Sequence, residues 1–183
     1  MNLFIKHTII TVLLFIILVS CSKSSENSDF NIKLDLVIKK DDSIHTFFMT
    51  DGTIHFNEIN SFWTKVKGDK KNQKLQINFP KGIVPNQFRI DLGNNIKQEE
   101  IVLNKLECSY KSNSFVLKGK QIYRYLRVDE SGTILEKDLG ILKRLNKKSK
   151  SGPSLYPNGE FLRIKLEELT TKKNGTNSHK YTL

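Results

Sequence analysis

Apolar and polar residues alternate with a period of two along much of the chain beyond its first thirty positions. Ile32, Leu34, Leu36 and Ile38 share one side of a run whose other side carries Asn31, Lys33, Asp35 and Val37, the pattern of a strand with one buried face. The alternation recurs at Leu75, Ile77 and Phe79, at Phe88, Ile90 and Leu92, at Leu106, Cys108 and Tyr110, at Phe115 and Leu117, and at Leu162, Ile164 and Leu166. At least about seven strands are predicted. Asp51-Gly52, Gly68-Asp69, Pro80-Lys-Gly82, Gly93-Asn-Asn95, Ser131-Gly132 and Pro157-Asn-Gly159 separate them, because glycine reaches turn conformations and proline fixes one. Short strands with frequent turns predict an all-β chain, an antiparallel β-sandwich or jelly roll. The pattern loses regularity between Asp129 and Pro157. This irregular insertion near the C-terminal third is expected to hold a hairpin, a helical turn around Leu139 to Leu145 and a long loop. No internal repeat is visible, and the polar tail from Thr170 to Leu183 is expected to fray.

The N-terminus breaks the strand pattern. One cation, Lys6, precedes an apolar run from Ile9 to Leu18 interrupted only by Thr11. A secretory signal needs a charged start and an apolar stretch of ~7–15 residues, whereas a membrane span needs ~20. The run closes on Leu18-Val19-Ser20-Cys21, which resembles the lipobox of bacterial lipoproteins. The resemblance implies cleavage before Cys21, lipidation of the Cys21 thiol and acylation of the new amine. Several acyl chains, each worth about 0.8 kcal/mol per buried CH₂, hold a protein at a membrane that one chain grips only reversibly. Ser22 stands where an inner-membrane retention signal places Asp, so the resemblance implies the outer membrane of a cell that has one. Ser22 to Asp29 is small and polar and reads as a tether. The expected organisation is a signal peptide over 1–20, lipidated cysteine and tether over 21–29, one sandwich domain over 30–169 and a polar tail over 170–183.

Composition narrows the partners. The chain of 183 residues carries a formal charge of +11, which invites an anionic partner. Of its 30 basic residues only Arg89, Arg124, Arg127, Arg144 and Arg163 are arginine, and phosphate and base recognition favour the arginine fork. A secreted chain also leaves nucleic acid behind, so acidic polysaccharide or anionic headgroups are the expected attractions and nucleic acid is not. The densest basic run, Leu142 to Lys150, reads as a solvated loop or helix face. Besides Cys21 the only cysteine is Cys108, so no disulfide forms within the chain, and its alternating neighbours place the thiol in the core.

Catalytic patterns are weak. Asp51, Glu58, Asp91, Glu99 and Glu100 offer carboxylates without a spacing that selects a pair. His45 and His55 lack a metal-ligand spacing, and neither a nucleophile elbow nor a phosphate loop occurs. The chain is expected to be no enzyme and to need no cofactor; no metal motif occurs, while calcium held by loop oxygens needs none and stays open. Strand alternation in Phe62 to Lys67 places the only tryptophan, Trp63, beside Lys65 and Lys67 and opposite Phe62, Thr64 and Val66. In Gln121 to Val128 it places Tyr123, Tyr125 and Arg127 opposite Ile122, Leu126 and Val128. Solvent-face rings beside hydrogen-bonding groups suit sugars; a covering second core is the alternative. Asn57 and Glu58, near His55 and Asn60, form the richest polar loop, able to touch a ligand or to cap turns. Arg89 and Asp91, two apart, are expected to share one strand face and to pair with each other or with a neighbouring strand.

Thr46-Phe-Phe-Met-Thr-Asp-Gly52, Phe56-Asn-Glu-Ile-Asn-Ser61, Leu75-Gln-Ile-Asn-Phe-Pro80, Phe88-Arg-Ile-Asp-Leu-Gly93 and Ile101 to Cys108 together resemble β-sandwich modules of bacterial cell-surface polysaccharide proteins, with Leu92 where the modules carry proline. The resemblance implies a galactose-binding-like sandwich that binds or organises glycan, with Trp63, Tyr123, Tyr125, Asn57 and Glu58 as contacts. The competing expectation is an envelope accessory protein that grips another protein through an apolar patch or a free strand edge; a glycan-active enzyme is the third.

Overall fold

A computed structural model describes residues 29–171; the signal segment, Cys21, most of the tether and the end of the tail lie outside the described residues. Among the described residues there are eleven strands: β1 (Phe30–Ile38), β2 (Asp42–Met49), β3 (Ser61–Val66), β4 (Asp69–Asn78), β5 (Gln87–Leu92), β6 (Glu100–Tyr110), β7 (Asn113–Lys118), β8 (Leu126–Val128), β9 (Thr133–Glu136), β10 (Ile141–Arg144) and β11 (Ser154–Pro157). Two helices accompany them, the single turn α1 (Ile122–Tyr125) and α2 (Phe161–Thr171). One sheet has six strands, in the order β4-β1-β6-β10-β9 with β7 also on β6; the other has five, in the order β3-β2-β5-β11-β8. The two antiparallel sheets pack together as the all-β sandwich that the alternation predicts.

The period of two explains the core. In β1 every second residue from Phe30 to Ile38 is buried, and Ile32, Leu34, Leu36 and Ile38 are wholly so. Each such side chain contributes roughly 1.5–3 kcal/mol by leaving water. They meet Ile77, Phe88, Ile90, Leu92 and Leu106 in one continuous cluster. In β6 the buried residues Leu103 and Leu106 are three apart, which a regular strand would send to opposite faces. The register between β1 and β6 shifts after Asp35, which pairs with Lys105, so that Leu36 pairs with Leu103. The extra residue there, Asn104, forms a bulge that returns both leucines to the core.

Three local expectations are corrected. Leu162, Ile164 and Leu166 belong to α2, not to a strand: Leu162, Leu166 and Leu169 are buried while Ile164 is 46% exposed. Three alternating apolar residues fit either element, and the spacing to Leu169 together with Lys, Arg, Glu and Leu favours the helix. That helix runs to Thr171, the last of the described residues. Leu169 anchors its last turn, and the Thr170 hydroxyl donates to the Leu166 carbonyl at 3.0 Å. The segment Gln121 to Val128 is a helical turn leading into a short strand, which rotates its tyrosines out of a common face. In the irregular stretch the expected hairpin is present as β9 and β10, but Leu139 to Leu145 forms the turn and second strand of that hairpin and no helix.

Candidate functional site: the outer face of the five-stranded sheet

The register of the five-stranded sheet brings residues far apart in sequence onto one outer face. His45 of β2 pairs with Trp63 of β3 and with Asp91 of β5, and Phe47 pairs with Ser61 and Arg89. Tyr156 of β11 pairs with Arg127 of β8. Their planar groups form a ladder. Trp63 stacks on His45 with ring centres 3.9 Å apart and planes 18° apart, and His45 lies 4.0 Å from Phe47. The Arg89 guanidinium sits 4.7 Å over Phe47 and 4.4 Å over Tyr156, and Arg127 lies 5.3 Å over the other end of Tyr156. Such contacts add cation–π attraction to area burial. The ladder crosses all five strands, about 19 Å at the usual strand spacing.

Arg89 is fixed by Asp91, two residues along the same strand, through hydrogen bonds of 2.8 and 2.6 Å. That is the expected strand-face pair, and its fork holds the guanidinium flat between the two rings. The connection from β2 to β3 folds over this face, with Phe56 meeting Tyr156 edge-on at 6.3 Å. Asn57 caps the short turn Glu58–Asn60 by accepting from the Ile59 and Asn60 amides at 3.1 and 3.2 Å, so its side chain serves the loop. Ser61 donates its hydroxyl proton to the Glu58 carbonyl at 2.8 Å and lies 2.9 Å from His45 Nε2. The His45–Ser61 hydrogen bond ties the imidazole to the start of β3, its direction set by the imidazole tautomer. Glu58 Oε2 stands 3.5 Å from that nitrogen, on a side chain 80% exposed. Burial holds the His45 pKa below its ordinary value, opposed by the charges of Glu58 and Asp91.

Trp63 is the open end of the ladder. It is 52% exposed, and since His45 covers one face of the indole, the other face supplies most of that exposure. Lys65 follows on the same side of the strand and is also exposed. An oriented indole bordered by a carboxylate and an ammonium can stack on the C–H face of a ring and bond its hydroxyls.

The structure divides the residues singled out from the sequence. Trp63 and Glu58 share this edge with Asn57, whereas Tyr123 and Tyr125 sit by β8 at the opposite edge. Tyr123 is only 7% exposed and Tyr125 packs on the core, so neither shares the solvent-face platform expected from strand alternation. Burial raises the Tyr123 phenol pKa to about 12. Cys108 is wholly buried and its thiol pKa lies well above the ordinary value through desolvation, as befits a small core residue. Among the candidate carboxylates, Asp91 is held by Arg89, Asp51 accepts from Thr53, and Glu100 pairs with Lys39 at 2.8 Å. Sequence reasoning missed His45, Phe47 and Tyr156 as parts of this face.

No protein-family model, curated protein or solved structure matches the chain. Among the described residues, no helix is long and apolar enough to cross a membrane.

Proposed function

We propose that this chain is an envelope lipoprotein, anchored to a membrane by acyl chains on Cys21, whose sandwich binds or organises a surface glycan without catalysing its conversion. The observation that carries the reading is the half-exposed Trp63 ring, stacked on His45, whose Nε2 has the Glu58 carboxylate at 3.5 Å. A free indole rotates at its site and loses that freedom on binding; this one is already oriented, which lowers the entropy cost of stacking on a sugar. The anchoring half of the reading rests on Leu18-Val19-Ser20-Cys21 and the short apolar run before it. The composition of the tether carries the domain clear of the lipid, with the outer membrane as the location in a cell that has one.

The test is a glycan array probed with the full chain in non-ionic detergent, beside its Trp63→Ala variant. The reading predicts a selective set of sugars retained by the first and lost by the second, with the melting temperature little changed. A melting temperature that falls steeply would assign the ring to the fold instead.

A specific observation also favours a protein partner. Ile59 is 92% exposed and Ile54 is 58% exposed, on the loop leading into β3, whose outer edge pairs with no strand among the described residues. An apolar loop beside a free edge suits strand addition. Ile59→Ser separates the two: it spares sugar retention and weakens capture of a protein.

A further inference from the structure

A second surface lies on the other sheet. At one end of the six-stranded sheet an open cleft of about 910 Å³ is bounded by the β1–β2 turn, the start of β4, the segment before β6, and the β9–β10 hairpin. Its lining holds seven cations and two carboxylates. Lys39 is neutralised by Glu100 at 2.8 Å, and Lys143 by Glu136. Lys40, Lys70, Lys97, Lys147 and Arg144 form no ion pair with any carboxylate of the described residues. A methyl group at Gly68 would collide with the Lys40 main chain, so the turn before β4 is pressed on the β1–β2 turn and keeps Lys40 and Lys70 as near neighbours.

Arg144 distinguishes this cleft from a merely solvated basic rim. It lines the cleft yet is only 6% exposed. Its Nε donates to the Ser151 carbonyl at 3.0 Å and its Nη1 to the Gln98 carbonyl at 2.8 Å, while Nη2 has no protein partner. Carbonyls orient the guanidinium without cancelling its charge. Desolvation lowers the Arg144 pKa and the more distant Asp42 raises it. Asp42 offsets that charge only at a distance, with no ion pair between them, and a buried charge so weakly compensated is costly; an anion in the adjoining cleft would relieve it.

We propose that this cleft is a binding site for an acidic polysaccharide, separate from the Trp63 face. The cations span the strands from β4 to β10, three strand spacings or about 14 Å, which is too wide for one carboxylate or phosphate and suits anions repeated along a polymer. They are mostly lysines, point charges that accept carboxylates without demanding the bidentate geometry of an arginine fork. Ile96, Leu145 and Ile134 are 58%, 54% and 42% exposed among them, offering apolar surface to sugar C–H groups. No aromatic ring lines the cleft, so bases find no stacking platform there. Its concave shape sets the Arg144 charge beyond the reach of a flat bilayer. The choice of sugar over other polyanions also uses the envelope location proposed above.

The test titrates the full chain in non-ionic detergent with an oligogalacturonate, its neutral methyl ester and a polyphosphate. Lys40→Gln/Lys70→Gln/Lys147→Gln is compared with Lys74→Gln/Lys81→Gln/Lys137→Gln, which removes the same charge elsewhere, and with Trp63→Ala. Binding of the oligogalacturonate over its ester, weakened about tenfold or more in the cleft variant and less than about twofold in the other two, supports the site. Equal weakening by both lysine triples overturns it in favour of diffuse attraction. Tighter binding of polyphosphate overturns it in favour of a phosphate polymer. Retention of neutral sugars alone, lost with Trp63→Ala, overturns the cleft and leaves the ring face standing, whereas no binding of any sugar removes both.

Discussion

The ring face of the five-stranded sheet and the basic cleft of the six-stranded sheet both gather side chains from distant parts of the chain, yet they are held in opposite ways. Phe47 and His45 are each 5% exposed although they point away from the sandwich core, because the Trp63 ring stacks on His45 and the Arg89 guanidinium lies over Phe47. The ladder therefore belongs to the fold as much as to any ligand, and only its Trp63 end is free to act. In the cleft Lys40, Lys70, Lys97 and Lys147 are exposed and only Arg144 is built in. On the proposed reading, one surface reads shape through pre-oriented rings and the other reads charge through exposed ammonium groups. The difference teaches that exposure alone does not mark a site: the free end of a packed array and the buried centre of an exposed one are the informative residues.

That contrast is sharpest in stability. Phe47→Ala should cost about 3–5 kcal/mol, the range for truncating a buried aromatic ring, and urea denaturation reads it directly. A cost near zero would mean the ladder contributes nothing to the fold. Asp91→Ala follows at about 1–3 kcal/mol, since it leaves the half-buried Arg89 guanidinium without its acceptor. Charge reversal at the exposed end of the ladder should not reproduce it, so a similar loss from Glu58→Lys would break the assignment.

The pH dependence is next in size. Burial lowers the His45 pKa below 6.5 in the fold, so below that pH the unfolded chain takes up a proton that the folded chain refuses. Stability from this group is complete above 6.5 and is lost as pH falls toward the lowered value, with a slope of at most about 1.4 kcal/mol per pH unit. Thermal melts at pH 7.5 and 5.5 should show the decline, and His45→Gln should flatten it. An unchanged slope in that variant would place the titration elsewhere. Smallest of all, Lys70→Gln in the cleft should alter stability by no more than about 0.5 kcal/mol. Raising ionic strength from 0.1 to 1 M, which shortens the Debye length from about 10 to about 3 Å, should weaken acid-sugar binding at the cleft and spare stacking on Trp63.

The sandwich was legible where alternation persists over many residues. The run from Phe30 to Ile38 is long enough to exclude a helix, and Phe62 to Val66 correctly places Trp63 opposite Val66. It failed where the signal was short: Leu162, Ile164 and Leu166 alternate over five positions, and Leu169 was needed to reveal the helical face. Tyr123 and Tyr125 were misplaced because one helical turn after Gly119 changes the period locally. The candidate site was only partly legible. Trp63 and the Arg89–Asp91 pair are visible as single-strand features, but the stacking of Trp63 on His45, and of Arg89 on Phe47 and Tyr156, depends on cross-strand register, which no local pattern encodes. The cleft was hidden for the same reason. The basic run from Leu142 to Lys150 showed one wall, while Lys40, Lys70 and Lys97 join it only through the strand order β4-β1-β6-β10.

The most direct measurement uses the chain's only tryptophan as its own reporter. Titrating a neutral sugar retained on the array against the intrinsic fluorescence of Trp63 should shift its emission to shorter wavelength with saturation, as the exposed indole face loses water to the bound ring. A neutral sugar that binds to saturation while the emission stays unchanged would contradict the account, because binding would then occur away from the ring face.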